Sequence, residues 1–141
     1  MARQPGKSAR PSEKSYAHRP LLDKLGVKPE SRVAVIGIRD DFFLAQLERR
    51  AADISSRHPK KDSDLIFLAA ESKADLEKLS LLRASLKPNG AIWAVYPKGV
   101  QHIRQSDVMD MTKLAGLVDV KVVSFSATHT ALKLVIPLAQ R

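Results

Sequence analysis

The chain has 141 residues, 44% apolar and 28% charged, enough for one compact domain with its own core. It has no cysteine, which excludes disulfides, thiolate metal sites and a cysteine nucleophile and fits a reducing cytosol. No apolar run approaches the roughly 20 residues of a membrane helix, and the first residues lack the apolar core of a secretory signal, so a cytoplasmic protein without a membrane partner is expected. The formal net charge is +9, and it is uneven: the first 20 residues carry Arg3, Lys7, Arg10, Lys14 and Arg19 against Glu13 alone.

The basic, Pro- and Ser-containing tail over residues 1–18 buries too little apolar surface to offset its ordering entropy, so mobility is expected there. It reads as a solvated leader or, alternatively, as a loose contact for nucleic acid or another acidic partner. Pro5, Gly6 and Pro11 interrupt any amphipathic transit helix. Residues 19–141 read as a single α/β domain. Arg19 to Leu25 predicts a short helix stopped by Gly26, and a turn at Lys28-Pro29-Glu30-Ser31 leads to the strand RVAVI, Arg32 to Ile36. That strand is apolar on both faces, the pattern of a central strand covered by helices on both sides of a sheet. Asp40 or Asp41 caps a helix to about Ala51, with Phe43, Leu44 and Leu47 facing inward.

A short strand at Asp53 to Ser55 precedes the turn-forming His58-Pro59-Lys60-Lys61-Asp62, and DLIFLAA, Asp64 to Ala70, is a second buried strand. Ser72 with Asp75 forms a capping-box start for a helix to Leu86, on which Leu76, Leu79, Leu82 and Leu86 recur. Lys87-Pro88-Asn89-Gly90 breaks it, and AIWAVY, Ala91 to Tyr96, is a third buried strand. Ser106 and Asp107 begin a helix with Val108, Met111 and Leu114 inward and Gly116 as its stop. Val118 to Phe125 and Thr130 to Ile136 alternate, with Val118, Val120 and Val122 set against Asp119 and Lys121, which predicts an antiparallel hairpin at a sheet edge. Strands alternating with helices imply a small Rossmann-like, doubly wound, mostly parallel sheet closed by that hairpin.

Over about Tyr16 to Pro137, the segments HRPLLDKLGVKP, DLIFLAAESKADL, LKPNGAIWAVYPKG and GLVDVKVVSFSATHTALKLVIP resemble a bacterial family known as domain of unknown function 3052. That resemblance implies kinship and no catalytic residue. More distantly, the layout is similar to class I S-adenosylmethionine (SAM) methyltransferases, which also close their sheet with a terminal hairpin. The resemblance implies a cofactor loop carrying an acid and then alternate glycines after the first strand. Alignment on Gly37 puts Val35 at the acid, Arg39 at the second glycine and Asp41 at the third, so one position of four agrees. A non-glycine residue in left-handed geometry costs roughly 1–2 kcal/mol and fills the space the ligand needs, so the loop must run differently. The 26 residues between Gly37 and Asp64 are too few for the crossovers of a full adenosine pocket, each βαβ unit taking about 30. An acid for the ribose hydroxyls is also missing: the short strand ends on Ser56 and Arg57, with Asp53 at its start.

Ligands of open parallel sheets bind beyond the carboxyl ends of the strands. Residues delivered there are Gly37, Arg39, Asp40 and Asp41 from the first strand, Glu71, Ser72 and Lys73 from the second, Lys98 and Gly99 from the third, and Ser126, Thr128, His129 and Thr130 from the hairpin turn. Arg39, Lys73 and Lys98 suit a small anionic ligand, with Ser72 at a helix start; the plainer alternative pairs them with Asp40, Asp41 and Glu71. His129 is the candidate general base, because a pKa near 6.5 suits proton transfer at neutral pH, the plainer alternative being a hydrogen-bonded structural histidine. His18, His58 and His102 show no ligand spacing, and GxSxG, HExxH and GxxxxGK[ST] patterns are absent, so metal, hydrolase-elbow and Walker chemistry have no support. Trp93, Tyr96, Phe42, Phe43, Phe67 and Phe125 read as core or rim packing rather than a base-stacking platform.

The expected function is a binding or interaction module without catalysis, using an anion site at the carboxyl edge of the sheet. A reduced SAM-dependent methyltransferase and a basic nucleic-acid-associated protein are the alternatives. Neither SAM nor a metal is expected as a cofactor. With Asp40 and Asp41 supplying the helix start with its own anion, IRDD, Ile38 to Asp41, reads as a plugged loop, and the surviving site is expected toward Lys73, Lys98 and His129.

Overall fold

In the computed structural model, residues 20–141 are described; the expected tail over residues 1–18 lies outside them. A short helix α1 (Leu21–Lys24) precedes β1 (Arg32–Ile36), α2 (Asp41–Arg50), β2 (Asp53–Ser56) and β3 (Ser63–Ala69). Then come α3 (Lys73–Leu76), α4 (Leu79–Arg83), β4 (Leu86–Pro97), α5 (Gln105–Leu114), the hairpin β5 (Val118–Ser124) and β6 (His129–Val135), and a closing 3-10 turn at Leu138–Gln140. The six strands form one sheet in the order β2-β1-β3-β4-β6-β5. The first four are mutually parallel, and β6 runs antiparallel to both β4 and β5.

The continuous apolar runs become the central strands because both faces are covered. On one face Ile66, Leu68, Ile92, Ala94, Leu132 and Leu134 meet Leu76, Leu79, Leu82 and Val108 from α3, α4 and α5. On the other, Val33, Phe67, Trp93 and Ala131 meet Leu22 and Leu25 at α1 and Phe43 and Leu47 of α2. Each such large side chain contributes roughly 1.5–3 kcal/mol by leaving water. Trp93 lies at the centre of this second layer, and its Nε1 donates to the Leu25 carbonyl at 3.1 Å, tying the end of α1 to the sheet. Phe43 packs edge-on to Phe67 with centroids 5.2 Å apart, and against Phe125 at 4.7 Å, which joins α2, β3 and the hairpin turn. Phe42 departs from the expected packing, being 72% exposed on the outer side of α2.

The short strand at Asp53 is real and forms a sheet edge. Its return to β3 takes only residues 57–62, without a helix, and Arg57 and Asp62 bend that return with φ of 71° and 60°. Arg32 spans the segment: its Nε donates to Asp53 at 3.0 Å and its NH1 to the Lys61 carbonyl at 2.7 Å.

Four expectations need correction. The helix expected from Ser72 to Leu86 is two short helices, because the chain tightens at Glu77 and Lys78 to three-residue hydrogen bonds, Glu77 N–H to Ala74 and Lys78 N–H to Asp75. Leu76, Leu79 and Leu82 recur every three residues, the spacing of that tighter geometry. The break at Lys87-Pro88-Asn89-Gly90 belongs to β4, which starts at Leu86 opposite Ser63 and shifts register before Leu65. On α5 the inward face is Val108, Thr112 and Ala115, with Met111 partly buried; Leu114 is 77% exposed, one position off that face. On β5 the alternation misleads: Val118, Val120 and Val122 are exposed, and Val123 and Phe125 are buried. Val118 precedes an irregularity between Asp119 and Lys121; beyond it the side chains change face, so Val122 pairs with Leu132 and is exposed while Val123 pairs with Ala131 and is buried.

Two outcomes follow from these contacts. A Cβ at Gly90 would stand 2.8 Å from the Asp64 carbonyl oxygen and 3.0 Å from that of Ser63, so Gly90→Ala should cost about 1–3 kcal/mol in urea unfolding, with exposed Asn89→Ala near zero. Hydrogen bonds from Lys60 and Arg32 hold the Asp53 carboxyl below the usual carboxylate pKa. The folded state thus favours the charged form, and its contribution is complete above about pH 4 and lost as pH falls through the lowered value. Asp53→Asn should therefore flatten the acid limb of the thermal midpoint against pH below about pH 4.

Candidate functional site

The carboxyl ends of β1, β3 and β4 and the start of β6 converge on one edge of the sheet. β1 runs into Gly37 at φ +78°, where a Cβ would lie 3.3 Å from the Ala69 Cβ, so the turn presses against the end of β3. Asp40 then caps α2, accepting from the Phe43 N–H at 3.0 Å. After β3, Asp75 accepts from the N–H groups of Glu71 at 3.0 Å and Ser72 at 3.2 Å, which fixes the loop into α3. In the hairpin turn, Ser126 Oγ accepts from the His129 N–H at 3.1 Å, and the Phe125 N–H donates to the His129 carbonyl at 3.0 Å.

These three loops enclose a crevice of about 750 Å³. Ala69, Val95 and Phe125 give it an apolar side, and Arg39, Asp40, Glu71, Asp75, Lys78, Ser126, Thr128 and His129 supply its polar groups. Three carboxylates therefore meet two cations, a mixed field rather than the cationic rim expected. His129 is engaged at both ring nitrogens: Nε2 lies 2.8 Å from Glu71 Oε2, and Nδ1 lies 2.8 Å from Thr128 Oγ1. His102 Nε2 approaches the Glu71 carbonyl at 3.0 Å, which steadies the same loop from the α5 side.

Of the residues the sequence brings to this edge, Gly37, Arg39, Asp40, Glu71, Ser126, Thr128 and His129 line the crevice together. The others do not join them. Lys73 lies 3.6 Å from Asp107 of α5, and Lys98 donates from Nζ to Ser124 Oγ at 2.8 Å. Lys98 and Gly99 border a separate shallow depression with Tyr96 and Arg104. Ser72 is occupied by Asp75 through its N–H and, at 3.4 Å, its hydroxyl. The pairing of Arg39, Lys73 and Lys98 with Asp40, Asp41 and Glu71 is not what forms either. Glu71 turns to His129 instead, and Arg39 makes no ion pair among the described residues.

The loop Ile38 to Asp41 is a wall of the crevice and not a plug, because Asp40 folds back onto the start of α2 and leaves the space beside Gly37 open. Sequence reasoning missed Asp75, Lys78 and Phe125 as lining residues and Glu71 as the partner of His129. Strand ends would have reached Phe125, but Lys78 was hidden inside an expected continuous helix. Among the described residues no group of three or more His, Cys, Asp or Glu is placed to hold a metal, and no helix is long and apolar enough to cross a membrane.

No protein-family model and no curated protein matches the chain. Among solved structures it is similar to a SAM dependent methyltransferase from Aquifex aeolicus, with 15% identity and a TM-score of 0.65 over 83% of this chain and 88% of that one. It is similar also to a putative type 11 methyltransferase from Sulfolobus solfataricus, with 15% identity and a TM-score of 0.60 over 94% and 95%. A third is the SAH bound form of CalO1, a methyltransferase in calicheamicin biosynthesis, at 16% identity and a TM-score of 0.61; this chain spans 52% of its length. The likeness is one of fold: a methyltransferase-like α/β sheet, mostly parallel and closed by an antiparallel pair.

Gly37 is the point where loop geometry and crevice meet. With φ in the left-handed region and Ala69 at 3.3 Å, Gly37→Ala should lower unfolding free energy by about 1–2 kcal/mol, measured by chemical denaturation.

Proposed function

We propose that the protein binds a small molecule in the crevice at the carboxyl edge of its sheet. The observation that carries this reading is the crevice itself: its volume of about 750 Å³ falls within the roughly 300–1,000 Å³ of small-molecule sites, and a few polar groups converge beside an apolar side. The ligand is of mixed character. Its apolar part packs on Ala69, Val95 and Phe125, and its anionic group meets Arg39, whose charge has no partner among the described residues. We place beside this the proposed kinship with domain of unknown function 3052, which assigns no activity.

A second reading, a reduced SAM-dependent methyltransferase, is favoured by the shared fold and by the crevice opening beside Gly37. The residues present fit that cofactor poorly. Neither Arg39 nor Asp41 adopts the positive φ that cradle glycines permit, and β2 ends on Ser56 and Arg57 without a carboxylate for ribose hydroxyls. Asp53 is at the opposite end of β2, committed to Arg32 and Lys60.

A thermal-shift screen of small carboxylates, phosphates and nucleosides tests the first reading, with hits repeated on variants. Arg39→Ala should weaken an anionic hit about tenfold or more, the scale of one charge-assisted hydrogen bond. Lys73→Ala and Lys98→Ala should leave it unchanged; an undiminished hit in Arg39→Ala would sink the assignment. Calorimetry with SAM and SAH separates the two readings, since saturable heat from either supports the second.

A further inference from the structure

We propose that Thr128 is a nucleophile for acyl transfer, its hydroxyl activated by His129, which Glu71 orients, within the crevice. This rests on the crevice being a small-molecule site and adds chemistry to it. Donor and acceptor rules determine the arrangement. An ionised Glu71 carboxylate only accepts, so the His129 nitrogen facing it at 2.8 Å, Nε2, carries the hydrogen. The other nitrogen of the neutral ring, Nδ1, is then the acceptor, and the hydroxyl 2.8 Å away, Thr128 Oγ1, donates to it. The hydroxyl proton is thus already directed at a base whose opposite side is held by a carboxylate. That order of hydroxyl, imidazole and carboxylate is recognised by geometry and not by sequence position.

The neighbours fix the hydroxyl further. Ser126 Oγ accepts from the N–H groups of Thr128 at 3.3 Å and His129 at 3.1 Å, which leaves its own hydrogen for Thr128 Oγ1 at 3.3 Å. Stability does not explain the Glu71 contact. The Glu71 side chain is 58% exposed, and an ion pair so open to water adds little to folding. All four residues line the crevice, and Arg39, whose charge has no partner among the described residues, lines it from the loop after β1 and is the cation to meet an oxyanion.

In the step proposed, Thr128 Oγ1 bonds to the carbonyl carbon of an ester, and its proton passes to His129 Nδ1. The bond from that carbon to the leaving oxygen breaks, and the leaving alkoxide takes the proton from Nδ1. Water then attacks the acyl carbon and gives a proton to Nδ1; the bond from that carbon to Thr128 Oγ1 breaks, Oγ1 takes the proton back from Nδ1, and a carboxylic acid and free Thr128 result. The substrate class is a small ester with an apolar portion.

The test uses the full chain with p-nitrophenyl acetate, following nitrophenolate release and locating acetyl groups by peptide mass mapping. Acetylation of Thr128 is expected in the wild type and in Thr128→Ser at position 128, with none in Thr128→Ala. His129→Ala should slow release about 100-fold or more, the lower range of general-base effects. Glu71 is a positioning residue, so Glu71→Gln should slow acetylation at saturating ester and shift the imidazole ¹⁵N resonances of His129 away from the Nε2–H form, with the thermal midpoint kept. Release unchanged in Thr128→Ala, or acetyl found only on His129 or lysines, overturns the proposal. A thermal shift with one of the screened carboxylates, phosphates or nucleosides but no label on Thr128 overturns acyl transfer and leaves the binding reading standing; neither shift nor label overturns both.

Discussion

The parallel ladder between β3 and β4, Leu65 to Ala69 against Ala91 to Val95, is the constraint from which the rest follows. Ile66, Phe67, Leu68, Ile92, Trp93 and Ala94 are sealed from water, so their backbone groups must find partners inside the sheet. A strand buried on both faces needs cover on both, and α1 and α2 supply one layer while α3, α4 and α5 supply the other. Parallel direction also sends β1, β3 and β4 out at the same edge. The crevice is the space between the departures of β1 and β3 and the turn that leads into β6.

The hairpin completes that edge by running the other way. Because β6 is antiparallel to β4, it starts where β4 ends, with His129 opposite Pro97 and Thr130 opposite Tyr96. Its turn is held down by Phe125 packing on Phe43 and by the Lys98 N–H donating to the Thr128 carbonyl at 2.9 Å. Thr128 and His129 therefore stand at the crevice as a result of strand direction and register. Glu71 reaches the same place from β3, and the two loops meet through the His129 ring.

The far edge shows the opposite economy. β2 has four residues and returns to β3 through residues 57–62 with no covering helix. In this methyltransferase-like fold, β2 ends without a carboxylate, and the loop after β1 carries Arg39 and Asp41 rather than further glycines. Fold and loop chemistry are separable, since burial specifies the sheet and a few side chains at its edge specify what the edge holds.

Much of the sheet was legible because its signal is local. RVAVI, DLIFLAA and AIWAVY are continuous apolar runs between turn residues, and a chain that must bury such runs has few alternatives. Gly37, Arg39, Asp40, Glu71, Ser126, Thr128 and His129 were reachable by the rule that strand ends deliver ligand residues. Three features were illegible because their causes are distant or irregular. Lys73 and Lys98 leave the crevice for Asp107 and Ser124, partners that only packing brings close. One irregularity in β5 puts Val123 rather than Val122 on the buried face, and no alternation reveals it. The amino-acid sequence by itself determined the strands, their order of appearance and the crevice residues nearest their ends, because hydrophobic runs and breakers act over a few positions. Only the tertiary structure decided that Glu71 meets His129 across 58 residues, because hydrogen bonds of 2.8 Å depend on register and loop course that no local pattern encodes.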